Sequence, residues 1–273
     1  VLDRWWSALS ERRRRRQLER HAIPDALWSL TLARFPFLAA RSEADLLRLR
    51  ETTTLFLAGK EFAGVGGQAV TDDIAVAIAA QAALPVLNLG LAWYDGFVGI
   101  VVHPDEVVAR REVVDDDGVV HAYDETLSGE AMPGGPVMLS WRDVLAAGEV
   151  PDDRTYNVVI HEFAHVLDMR DGEADGVPPL PAEIDRKAWI GVLDATYAAH
   201  CADVDAALDT VIDPYGAEGP EEFFAVSSES FFVQPTDLWY TWPEWYEALA
   251  IFYRQDPAGV LAPPTGADPA IAR

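Results

Sequence analysis

Apolar positions recur at three- and four-residue spacing through the first sixty residues, a period that predicts helices. Pro24-Asp25-Ala26-Leu27-Trp28 opens one of them, and Ser42-Glu43-Ala44-Asp45-Leu46-Leu47-Arg48-Leu49 supplies an N-cap followed by an apolar stripe. Gly64-Val65-Gly66-Gly67 interrupts the pattern as a turn. It lacks both the Lys-Ser/Thr of a phosphate loop and the strand-glycine-helix order of a dinucleotide site. Thr71-Asp72-Asp73 then caps a small-residue helix over 74–83, which Pro85 stops.

From residue 86 the period shortens. Val86-Leu87-Asn88-Leu89-Gly90-Leu91, Val98-Gly99-Ile100-Val101-Val102, Val119-Val120-His121-Ala122-Tyr123 and the run from Gly134 to Trp141 read as strands. Within the last run, residues 137–141 read as an exposed edge able to pair with an extended peptide. A helix over 156–169 follows, with Asp152 and Asp153 suited to its start, and it is apolar nearly all round, hence buried. An acidic, glycine-containing loop over 171–179 ends it. Further helices are expected over 181–211, from Pro220 at a first helical position to about residue 233, and over 239–253. The tail after Pro257 is rich in proline, alanine and glycine and reads as loose. The sum is an α+β fold, mainly helical, with a small mixed sheet next to the buried helix. One unit is expected: a helical part over about 1–85 packed on a core over about 86–256, with a tail over 257–273.

Composition sharpens this picture. Of 273 residues half are hydrophobic, with nine Trp, eleven Phe and eight Tyr, enough for a large core. The single Cys201 excludes an internal disulfide framework and favours a reducing compartment. No segment resembles a membrane span or a secretory signal, so a cytoplasmic location is expected. The net charge of −24 argues against direct nucleic-acid binding, which draws on clustered Lys and Arg. The first fifty residues run the other way, with eleven Arg against six acids. Their one basic block, Arg12 to Arg16, reads as a solvated helical arm, or else as a dock for an acidic partner or for the protein's own acidic body.

The buried helix carries His161-Glu162-Phe163-Ala164-His165. Histidines four apart project from one helical face about a turn apart, so their imidazoles can converge on one metal ion, with Glu162 beside them as a base. A catalytic zinc takes three protein ligands and keeps a position for water, which leaves one ligand to find. A metzincin would have Gly and His where this chain has Asp168 and Asp171, although a carboxylate at Asp171 can still ligate. Glu222 sits one turn into a later helix, and Glu218 and Glu221 share that position near a helix start, where acids are favoured anyway. Glu229, seven residues on, suits holding a ligand histidine by its other ring nitrogen. Asp168 reads as a helix-end or supporting group. His21, His103, His121 and His200 lie outside any ligand spacing, and Cys201 has no evident base beside it.

Tyr215-Gly216-Ala217-Glu218-Gly219-Pro220-Glu221-Glu222-Phe223-Phe224-Ala225 resembles the second motif of the anthrax-lethal-factor-like zincins. That resemblance implies that Glu222 ligates zinc and that the Tyr215 hydroxyl faces the reacting carbonyl. More widely, the stretches 90–97, 135–141, 161–168, 172–178, 223–232 and 252–257 resemble the Mlc titration factor A family. The resemblance implies a zincin-like fold and a cytosolic zinc metallopeptidase with one Zn²⁺ per chain and aminopeptidase-type activity on small substrates. Its site would be His161, His165 and Glu222 as ligands, Glu162 as base and Tyr215 as oxyanion donor. For enterobacterial members it also implies binding to the glucose repressor Mlc, a partnership expected to transfer less readily than the chemistry. A regulatory protein that sequesters a repressor is the alternative function.

Overall fold

The computed structural model describes residues 2–114, 120–147 and 155–261. Four helices lead the chain: α1 (Leu2–Arg20), α2 (Asp25–Arg34), α3 (Pro36–Ala39) and α4 (Glu43–Gly59). Ser42 caps α4 by accepting the Asp45 N–H, as its sequence predicts. On α1 the arginine block is solvent-exposed, with Arg14 reaching across to Glu51 of α4 at 2.6 Å. The arm thus lies on the protein's own body through an exposed ion pair, a contact worth little by itself.

The strand β1 (Glu61–Gly64) follows, a short and mostly exposed element that the helical reading of this region missed. Next come α5 (Asp72–Ala83), β2 (Gly99–His103), β3 (Val107–Val114), β4 (Val120–Leu127), β5 (Gly129–Ala131) and β6 (Val137–Ser140). The main sheet has the order β1-β2-β6-β5, parallel except for β5 against β6, while β3 and β4 form a separate antiparallel pair. Two strand expectations are corrected here. Residues 86–91 form turns rather than a strand: Leu87 N–H bonds to Leu84 O and Gly90 N–H to Val86 O, with Gly90 at φ 92°. Val86 is buried and Leu87, Leu89 and Leu91 pack partly buried against the core in this turn, because Pro85 blocks a ladder and Gly90 bends the chain. Residues 137–140 are an inner strand between β2 and β5, so the sheet's edges are β1 and β5.

The C-terminal half is helical: α6 (Trp141–Ala146), α7 (Val158–Asp168), α8 (Arg186–Asp205), α9 (Pro220–Val233), α10 (Pro235–Thr241) and α11 (Pro243–Tyr253). The helix expected over 239–253 is two helices, divided at Pro243. Asp152, Asp153 and most of the tail lie outside the described residues. Two aromatic clusters fix the helices that matter. Phe163 of α7 packs on Phe56, Tyr94 and Phe97 with ring centroids 5.0–5.8 Å apart. Behind α9, Phe223 and Phe224 meet Trp245 and Phe252, with Trp189 joining both pairs. Among the described residues no helix is long and apolar enough to cross a membrane.

Candidate metal centre

The cap of α7 is Asn157, whose side-chain oxygen accepts the Ile160 N–H while its amide donates to Gln81 Oε1 of α5, both at 2.9 Å. The helix is therefore anchored at its start by a buried polar relay. One turn on, His161 and His165 face the same way, their Nε2 atoms 3.1 Å apart. Glu222, in the first turn of α9, places Oε2 3.1 Å from His161 Nε2 and 3.4 Å from His165 Nε2. Of the candidate third ligands, the structure brings Glu222 to the pair; among the described residues the cluster contains three donors, and Asp171, Glu218 and Glu221 are not among them.

A short clamp brings the two helices together. Asp168, at the end of α7, accepts the Gly176 N–H at 2.8 Å. Gly176 has φ +76°, and a Cβ there would lie 2.6 Å from Pro220 O, the start of α9. Only glycine allows that approach. Burial holds the Asp168 carboxyl up at about 7, against the Gly176 hydrogen bond that favours its charge.

Glu229, two turns beyond Glu222, accepts from or shares a proton with His161 Nδ1 at 2.8 Å and also accepts the Asn157 N–H. It occupies the supporting position expected of it. Burial opposes charge on His161, but Glu222 and Glu229 outweigh burial and hold its pKa well above the ordinary histidine value. Burial likewise opposes charge on Glu222, yet the two histidines pull its pKa down to about 2. Glu162 and Glu229 are both raised, chiefly by burial.

These residues fit a metal. Glu222 Oε2 is sealed from solvent without a properly aligned hydrogen bond. Donors about 2.0–2.1 Å from a tetrahedral zinc lie roughly 3.3 Å from one another, which matches the three separations found. His₂Glu is also a donor set that zinc accepts, and Glu229 supplies the outer acceptor that a ligand histidine needs.

Glu162 is buried beside the cluster, and the Ala131 N–H of β5 donates to its carboxylate. Gly129 is a site residue that sequence reasoning missed. A Cβ on it would lie 2.5 Å from Glu162 Oε1, so the glycine clears the space the carboxylate occupies. Nothing in the local pattern signals this, because the contact is between distant elements. Tyr215 stands on a 3₁₀ turn (Pro214–Ala217) with its ring centroid 6.1 Å from that of His161. Asp213 caps the turn through the Tyr215 N–H, and Tyr197 of α8 donates to Ala217 O. The five residues singled out from sequence thus share one site. Of the other histidines, His200 is buried beside Phe223 and is not among the three donors, and Cys201 is partly buried.

A sequence model described as glucose-regulated metallopeptidase M90 matches residues 9–254. A protein from Edwardsiella ictaluri named Mlc titration factor A is 38% identical over 237 residues, covering 84% of this chain and 89% of its own. A protein of the same name from Serratia proteamaculans is 36% identical, covering 86% and 89%. An uncharacterized protein from Synechocystis is 35% identical, covering 89% of each chain.

Proposed function

The chain belongs to the glucose-regulated metallopeptidase M90 family, and from that premise we propose that it is a zinc-dependent peptidase using His161, His165 and Glu222 as ligands. The observation that supports this reading is the convergence of Nε2, Nε2 and Oε2 within 3.4 Å beside a buried Glu162. A zinc ion held there would supply Lewis acidity, lowering the pKa of a water toward about 7 and polarising the scissile carbonyl. Glu162 accepts the proton of the attacking water and returns it to the leaving amine. The Tyr215 hydroxyl donates to the oxygen on which charge develops. Glu229 keeps the His161 ring turned so that Nε2 faces inward.

The family resemblance carries the expectation of aminopeptidase-type cleavage of short amino-terminal amides. The test is Glu162→Gln measured for zinc content and for hydrolysis together. Retained zinc with hydrolysis lowered by about 10²–10⁴-fold supports the base assignment. Full hydrolysis with Gln in place removes it.

The names of the relatives support a second reading, in which the chain binds and sequesters a transcriptional repressor akin to Mlc in the cytoplasm. Capture of a co-expressed repressor by both the wild type and His161→Ala would favour it. Absence of repressor capture by both forms would exclude it.

A further inference from the structure

Three neighbouring cavities lie between α7 and the segment 126–134 that contains β5. The first, about 430 Å³, includes Ser128, Tyr156, Glu162 and Tyr215 in its wall. The second, about 240 Å³, is bounded by residues 129–131, His165 and Glu222, and shares His161, Glu162 and Tyr215 with the first. The third, about 460 Å³, is lined by Trp93, Phe97, Met132, Val166 and Met169, and shares Met169 with the second. Met169 follows the end of α7, four residues after His165, so the third cavity adjoins the cleft that holds the donor cluster.

The backbone alongside is an open strand edge. Ser140 N–H bonds to Ser128 O, and residue 130 lies opposite 138 in the antiparallel ladder. Alternation therefore turns the backbone groups of 129 and 131 away from β6, and the Ala131 N–H indeed meets Glu162. Among the described residues no strand pairs with that edge.

We infer that the third cavity is a side-chain subsite, which selects a large apolar residue three positions to the amino side of the scissile bond in an extended peptide. The inference rests on the peptidase reading above. The spacing follows from the strand. Gly129 lies against Glu162, and Met132 is three residues farther, roughly 10 Å at about 3.3 Å per residue. A peptide laid antiparallel on β5 advances at the same rise with its amino end toward Met132. Its third residue before the reacting carbonyl then meets the third cavity. The chemistry of the wall sets the preference, since six of its side chains, with Pro133 among them, are apolar against the charged Asp95 and Arg170. The wall is also preorganised: Arg170 donates to Ala92 O and Trp93 O at 2.8 Å, with its guanidinium 5.4 Å from the Trp93 ring centroid. A cleft with cavities on both sides of Glu162 admits internal bonds of long peptides as well as short amides, which fill only its centre.

The test uses the zinc-loaded full chain, amino-acetylated octapeptides and a single-residue chromogenic amide. The octapeptides share one scissile bond and carry Leu, Phe, Ala or Asp at the third position before it. Leu and Phe are expected to exceed Ala and Asp in kcat/KM by about tenfold or more. Met132→Asp is expected to lower the Leu-peptide to short-amide activity ratio by a similar factor; Met132→Ala, a milder change, should lower it less. A flat response at that position overturns the subsite while hydrolysis of the short amide leaves the peptidase reading standing. Wild-type hydrolysis of every substrate no faster than that of Glu162→Gln overturns both.

Discussion

Gly129→Ala isolates the demand that the site places on β5. The substitution adds one methyl group to an element outside the ligand set. The added carbon would lie 2.5 Å from Glu162 Oε1, 2.7 Å from Cγ and 2.8 Å from Cδ. Relief to an ordinary contact of about 3.4 Å moves the carboxylate by roughly 1 Å, a displacement that costs about 10²-fold when it falls on a catalytic group. The backbone at this residue is not in the left-handed region, so the change acts through space alone. Overpacking should cost about 1–3 kcal/mol of stability. The expected outcome is a folded protein with wild-type zinc content and kcat lowered about 100-fold. Zinc stoichiometry, a thermal melt and hydrolysis of a short amide measure the three together. Activity within threefold of wild type would refute the placement of Glu162 against β5 and, with it, the role of base.

Tyr215→Phe should lower kcat by about 10²–10³-fold without changing zinc affinity, which parallel metal titration and kinetics would separate. Glu229→Gln should weaken zinc binding about 10–100-fold, read by competition with a chelator, since it weakens the acceptor on His161 Nδ1. Asp168 gives a stability signature in the metal-free protein. Its folded pKa of about 7 lies above the ordinary 3.8, so the folded state keeps a proton that the unfolded state releases. Stability should fall as pH rises from about 4 to about 7, by up to about 4 kcal/mol, then level off; Asp168→Asn should flatten that slope in urea melts. An unchanged slope would contradict the burial of a protonated Asp168. We also propose that residues 1–256 form one cooperative unit, for which calorimetry should show a single transition; two resolved transitions would divide the helical part from the core.

Elements with local signals were legible in the sequence. Ser42 and Pro220 mark true helix starts, Pro235 follows the end of α9, and the i, i+4 histidines face one way because helical geometry alone decides it. What failed depended on distant partners. The apolar run at 86–91 looks the same whether a sheet or the back of a turn buries it. The three residues of β5 are too few to show a period of two, so the edge was assigned one strand too far along. Glu222, Glu221 and Glu218 are all acids near a helix start; the phase of α9 turns Glu222 to the histidines, and the close approach of Gly176 to Pro220 brings that helix start to α7. Gly129 and the Asn157–Gln81 relay left no trace in the sequence pattern, because each exists only once α5, α7 and β5 have met.

The same packing also explains why the centre takes a cation. Glu162 and Glu229 are buried and Glu222 is partly buried, around the two ligand histidines. Three carboxylates without compensation in such a place would cost several kcal/mol each. The raised pKa values of Glu162, Glu229 and His161 are the response of the metal-free site, which gathers protons where positive charge is wanted. His161 shows this most directly, since both of its ring nitrogens face carboxylate oxygens at 2.8 and 3.1 Å. The proton on Nε2 occupies the lone pair that a metal needs, so metal and proton compete for the same atom. A divalent cation therefore relieves the burial of charge rather than adding to it, and the residues that make the site costly to fold without metal are those that make it bind one.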